Sequence, residues 1–541
     1  MDCKSWISTV DKPGSTLKHA TSALAFPLNH GVTPDDLKCS ADLWKNDPMN
    51  TQIPVSERRP HRTWIDCLPT PHLSPGPSLK IRTIAWHFRH ALVTFCDDFH
   101  HFKPELGMPE TVNQIPVTKT SHIPCRAMDI NSSTNDGQAQ IVEHICMQAN
   151  IGDPTDFPSM CDVREHVMLV HGDLGTAERL HGIKQSRSIE TKEVRRLQPV
   201  VFVMGLFHLQ MACTEALWRM FIEPKSVRAD PHSLYSQACQ VRPHDSGRIG
   251  SKPGFRLIHD IAHHCGYARM LDCWRVEVKR IDNSWTTLEL FAKSKPTYTD
   301  LVRLSLVLAS TYVDKPAVYD KVFRNNSLIL ARLIQYLEIT HALKHGDIGR
   351  VEETFLHWVF VFKSTGKHKY ATHLIQTMND LKYVYPEGLK RAIRLNWLCN
   401  PTGKVDGFRA IDWLVELMNL YTKVVYGSSG SARTFELILK QSPLIEIFRR
   451  VHVLIQDNFH MLHRSVRHAP PNLKNTLSVL CALLEKHKAH EIVPNRNTSP
   501  EALKDHFKDG MLVLQTQKGN QAQGEDEDDA RGELEFEDLE A

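Results

Sequence analysis

With 541 residues, 41% of them hydrophobic and 23% charged, the chain has the composition of a soluble globular protein of two to four domains. Its net charge of +3 is a difference between unlike parts: residues 521–541 hold ten acids and one arginine, a charge of −9, which leaves +12 on the other 520. A basic body with an acidic end suits a polyanion-binding surface and a solvated tail. The thirteen cysteines are scattered without paired CxxC spacing, the chain is far too long for a disulfide scaffold, and a reducing compartment is expected. No uninterrupted apolar stretch nears the roughly eighteen residues of a membrane span. The opening MDCKSWISTVDKPGS lacks the apolar centre of a secretory signal, so a soluble, intracellular protein is expected.

Residues 1–85 read as irregular, with a linker at Pro69–Ser78 and a short basic-aromatic loop at Ser56–Trp64. The run ALVTFCDDF then predicts a buried strand ending at Asp97 and Asp98. Thr111–Ile130 predicts two extended runs, and Ala139–Ala149 a helix. Counting those two runs as strands, EHVMLVHGDLG predicts a fourth strand ending at Asp173, with a helix after it; Pro199–His208 predicts a further buried strand, followed by an amphipathic helix. This order of strands and helices is that of a ribonuclease-H-like mixed sheet, an α/β core in which the first and fourth strands lie side by side. From about Phe255 to Ala489 helical periodicity takes over, with a stripe at Ile348, Val351, Phe355, Val359 and Phe362. Asp347 precedes that stripe and fits an N-cap. The expected parts are an irregular region 1–85, an α/β core at 86–222, a helical insertion at 223–405, completing helices at 406–493 and a disordered acidic tail at 494–541.

Aspartates at the carboxyl ends of neighbouring strands stand where α/β sheets bind ligands, and two side by side call for a divalent cation between them. Asp97 and Asp173 are therefore candidate ligands for Mg²⁺ or Mn²⁺ in phosphoryl-transfer chemistry. The competing reading is that both only end strands, since aspartate is common in turns. His208 could orient a phosphate or be held by a backbone carbonyl. Trp274 and Arg275 could stack on a base and grip phosphate, or be a core tryptophan beside a surface arginine. On a helix His259 and His263 share a face, with Asp260, Cys265 and Cys273 nearby, so a second metal site and a metallohydrolase are a further alternative.

The segments HGDLGTAERL, GLFHLQM, LDCWRVE, GDIGRVE and NWLCNPTGKVDGFRAIDWLVELMN occur in order, and together they resemble the basidiomycete domain of unknown function 6589, a transposon-associated, transposase-like family. The resemblance implies a fungal transposable element as source, DNA as partner and the nucleus as place of action, although no basic import cluster is visible. It points to Asp97 and Asp173 as the first two acids. Glu416, Asn419 and Lys423 are similar to the E-x-x-N-x-x-x-K helix of cut-and-paste transposases, which implies Glu416 as the third acid, with Glu352 its rival and Asp98 an alternate to Asp97. The family more often has histidine after this glutamate, and here Leu417 stands there. A catalytically inactive protein of the same fold that binds nucleic acid or another partner is the second reading.

Overall fold

The structure is a computed structural model that describes residues 2–4, 17–69, 75–251, 253–314, 320–426, 434–461, 472–496 and 501–516. The expected strand at Ala91–Asp97 is instead the end of a helix, α1 (Leu79–Phe95), capped by Ser78, whose hydroxyl accepts the Ile81 N–H. Ile84, Ala85, Phe88, Ala91 and Leu92 are buried at spacings of three and four, so the apolar run belongs to a helical stripe that starts further upstream. A 3₁₀ turn, Asp97–Phe102, follows.

Thr111–Ile130 does not form a hairpin either. Ile123–Pro124 pairs antiparallel with Leu24–Ala25, and single bridges join Met128 to Thr21 and Gln114 to Asp347. Pro116 and Pro124 remove ladder donors, which confines this segment to isolated pairings. The next elements agree with expectation. They are α2 (Asn135–Ala149), β1 (Met168–Gly172), α3 (Leu174–Ser186), β2 (Val200–Met204) and α4 (Leu206–Phe221). β1 and β2 run parallel, with Met168 opposite Val200 and Gly172 opposite Met204. The sheet stops at these two strands, and the other sheets among the described residues are two-stranded as well. The architecture is thus mixed α/β and mostly helical.

The helical block is built on α5 (Phe255–Ile281), apolar and buried around much of its girth, which packs on α1, α4 and α7 (Lys321–His345), with α6 (Tyr298–Leu308) against α1. α8 (Ile348–Ser364) carries the expected stripe, and Asp347 caps it through the Arg350 N–H while also accepting from the Val112 and Asn113 N–H groups. Between α7 and α8 the chain turns at Gly346, where φ is +75° and an added Cβ would come within 2.7 Å of the Phe408 ring. Gly346→Ala is expected to cost about 1–3 kcal/mol, since strained backbone and overpacking act together; an unchanged urea midpoint would remove that reading.

A short hairpin, Leu398–Cys399 with Arg409–Ala410, leads into α9 (Ile411–Tyr426). α10 (Lys474–Lys486) lies on α5, and α11 (His506–Thr516) lies on α8, with Phe507 against Phe360 at 5.1 Å and the Ser364 hydroxyl donating to Asp509 at 2.6 Å. Part of the expected disordered tail is therefore a packed helix; the acidic run 521–541 lies outside the described residues, as do 70–74 of the Pro69–Ser78 linker. The main hydrophobic core draws on residues from Cys39 to Leu503, with smaller clusters under α2 and α3 and at the start of α9, and α1 crosses the expected boundary at residue 85. Among the described residues no helix is long and apolar enough to cross a membrane.

Candidate functional site

Because β1 and β2 are parallel, their carboxyl ends share one edge, the place where α/β sheets bind ligands. The Gly205 N–H donates to the Gly172 carbonyl at 2.9 Å and extends the ladder past β2. A side chain at Gly205 would collide with the Asp412 carboxylate and stand 2.8 Å from the Gly172 oxygen. Asp412 opens α9 and reaches across to the start of α4. Its Oδ1 accepts the Phe207 N–H at 3.1 Å, and its Oδ2 accepts the His208 N–H at 2.9 Å and the His208 ring Nδ1–H at 2.8 Å. The carboxylate thereby satisfies donors that a helix leaves open at its N-terminus. Burial pushes its carboxyl group up, but the imidazole and the two N–H groups outweigh this and hold it below the usual range.

Around this centre, Glu416 stands one turn further along α9, with Oε1 3.9 Å from His208 Nε2. His171, on β1, is driven down to about 4 by loss of water, against the pull of the Asp412 charge. Asp173 follows β1 directly and caps α3, accepting the Thr176 N–H at 2.7 Å. Two of the three expected acids, Asp173 and Glu416, thus lie at one edge. Asp412 went unnoticed in the sequence; the signal that could have found it is its place four residues before Glu416, on the same helical face.

Asp97 is not part of this edge. It sits on the 3₁₀ turn with 67% of its side chain exposed, paired with Lys474 of α10 at 2.9 Å, and that ammonium lowers its pKa. Asp98 beside it is exposed too. Glu352 is held by Arg394 through two 2.7 Å bonds. Trp274 is fully buried and donates its indole N–H to the Phe88 carbonyl, while Arg275 is locked to Asp272 at 2.8 Å and Glu491 at 3.4 Å, so neither is available to a nucleic acid. Asp260 is held by Arg242 and Arg256 at 2.9 and 3.1 Å. His259 meets the Tyr336 hydroxyl at 2.8 Å and lies against His263 at 4.2 Å between ring centres. Cys265 and Cys273 are buried in the core, and burial pushes the Cys265 thiol up to about 12. Asp97→Asn is expected to leave the thermal midpoint unchanged, as an exposed pair contributes little; a clear drop would mean that this carboxylate has a structural part.

Beside the strand edge lies a cavity of about 460 Å³. Phe207 and Trp413, the neighbours of His208 and Asp412, line it together with Trp86, Tyr267 and Phe408. Six histidines also face it, at 87, 90, 259, 263, 341 and 345, with Lys344 and Arg409 as its cations. Behind the wall, Glu338 accepts from His87 at 2.7 Å and from Arg350 at 2.6 and 2.8 Å, tying α1, α7 and α8 into one buried network. Sequence reading noticed only His259 and His263 of this set, because the other walls come from distant segments.

The expected Mg²⁺ or Mn²⁺ pair needs clustered carboxylates. Among the described residues no group of three or more His, Cys, Asp or Glu side chains is placed to hold a metal ion, and both oxygens of Asp412 are taken by N–H donors. The side chains present therefore fit neither that pair nor a zinc at His259 and His263. A model of a protein family described as a family of unknown function, DUF6589, matches residues 58–468. No curated protein and no solved structure matches the chain. On the strength of a match that spans most of its length, the chain belongs to the DUF6589 family.

Proposed function

We propose that the chain is a transposase-derived protein that binds nucleic acid and no longer cuts it. In this reading β1, β2 and the helices α2, α3, α4 and α9 are what remains of a ribonuclease-H-like core, and the ancestral activity was Mg²⁺-dependent cleavage and transfer of DNA strands. The observation that carries the reading is the fate of the acids. Asp173 and Glu416 stay at the carboxyl edge of the parallel pair, whereas Asp97 is spent on a surface contact with Lys474 and Asp412 is spent on capping α4. The body charge of +12 outside the acidic tail supplies the attraction to a polyanion. DNA in a fungal nucleus is the partner that the transposon-like ancestry implies.

The test is a pair of measurements on the full chain. Binding of labelled DNA should weaken by at least about tenfold between about 50 and about 200 mM salt, as counterion release requires. With Mg²⁺ or Mn²⁺ added, wild type and Asp173→Asn should leave supercoiled DNA equally intact. Nicking by wild type that Asp173→Asn abolishes would restore the nuclease reading and overturn this one. Absence of any salt-dependent binding would overturn it as well.

A further inference from the structure

We propose that the histidine-walled cavity is a nucleotide-binding site that takes a single unstacked base between its aromatic walls and the attached phosphate at Lys344 and Arg409. This deepens the nucleic-acid reading and rests on it for the source of the nucleotide. A volume of about 460 Å³ lies within the range of sites that enclose one small organic ligand. A duplex cannot enter such a space, but a base taken out of its stack can, and aromatic faces hold bases of any sequence.

The polar lining narrows the ligand further. No aspartate or glutamate lines the cavity; the charged side chains that do are Lys344 and Arg409. Arg409 lies 5.7 Å over the Trp413 ring, and its Nη1 donates to the Asp406 and Phe408 carbonyls, which fixes the guanidinium while leaving other N–H groups for a phosphate. The Asp406 carboxylate acts on Arg409 from outside the lining.

The imidazoles set a second requirement. His263 and His345 each donate Nδ1–H to the carbonyl four residues earlier, both at 2.9 Å, so each neutral ring keeps Nε2 as an acceptor. Loss of water keeps both rings neutral, His263 down to about 4. His90 stacks on Trp86 at 4.9 Å, and its Nδ1 meets no hydrogen-bond partner. A wall of acceptors beside two cations fits an anion that also carries N–H donors. Adenine, cytosine and guanine nucleotides have the exocyclic amine that thymine lacks.

The experiment follows tryptophan fluorescence of the full chain while AMP, dTMP or adenosine is added, with Trp86 and Trp413 in the cavity wall as reporters. AMP should bind, and adenosine and dTMP should each bind at least about fivefold more weakly, a fraction of the discrimination of a fully paired site. Lys344→Glu, an exposed change that leaves the fold intact, should weaken AMP by about tenfold or more, the size of one lost charge-assisted contact. Arg409→Gln, with its melting curve recorded alongside, is the second variant. Displacement of AMP by single-stranded DNA would support nucleic acid as the source; AMP binding without displacement would overturn that part and assign the site to free nucleotides. If DNA binds the chain with the expected salt dependence but no nucleotide binds, the cavity proposal is overturned while the nucleic-acid reading stands. Stoichiometric zinc that excludes nucleotide, or AMP binding indifferent to Lys344→Glu, overturns it too.

Discussion

Lowering the pH from about 7 to about 5 is expected to remove at least several kcal/mol of stability and to unfold the chain near room temperature. The ordinary imidazole value of 6.5 applies in the unfolded state, whereas burial holds His90 down to about 3 and His171 and His263 to about 4 in the folded one. His259 and His357 are driven well below the ordinary value by the same loss of water. The folded pKa is depressed, so between about 6.5 and about 4 the unfolded chain binds protons that the folded chain refuses, and stability falls as the pH falls. At pH about 5 each such ring costs about 2 kcal/mol, and three of them approach the whole stability of an ordinary domain. Urea midpoints measured by circular dichroism from pH 8 to 5 should fall steeply below about 6.5. A flat profile would show that the cavity histidines are hydrated.

Asp412→Ala is expected to cost about 3–5 kcal/mol, the cost of removing the buried acceptor of three hydrogen bonds. The carboxylate is buried and accepts three hydrogen bonds, two from backbone N–H groups in the first turn of α4 and one from the His208 ring. Alanine would leave the Phe207 and His208 N–H groups without acceptors inside the protein, each an unsatisfied donor. Asp412→Asn can keep its oxygen on the two His208 donors but turns its amide NH2 toward the Phe207 N–H, so about half of the loss is expected to remain. Equilibrium unfolding in urea would check both; an alanine variant as stable as wild type would mean that water reaches this carboxylate. His171 gives an independent readout. With the Asp412 charge gone, the attraction that opposes its desolvation disappears, and its proton resonances should titrate at lower pH in either variant.

The sequence was most legible where periodicity and local chemistry agree. β1 and β2 are short apolar runs ending at glycine and aspartate, α8 carries its stripe, and Asp347 caps it as its position implies. It misled at Ala91–Phe95, where five residues of apolar run are the visible end of a seventeen-residue helix whose first seven residues, 79–85, fall in the stretch that reads as irregular. A strand and a buried helix end carry the same residues, and length alone separates them. Asp97 inherited its role from that strand and lost it with the strand. Glu416 stands at the expected edge because α9 packs on α4, the helix that follows β2, while Asp412 acts as a cap and carries no ligand signature in the sequence. The cavity had no signature at all, since its walls come from α1, the loop at Gly107 and Met108, α4, α5, α7, the residues before α9 and α9 itself.

The buried network that ties α1 to α7 and α8 sets a timetable for synthesis. His87 must wait for Glu338, some 251 residues later in the chain. At about 5–20 residues per second that gap lasts on the order of 10–50 seconds. Throughout it, the His87 ring on the first long helix has emerged from the ribosome without the carboxylate that pairs with it. Chains truncated anywhere before the seventh helix keep a buried polar ring without its partner, and so expose the join between the first helix and the later ones to misassembly.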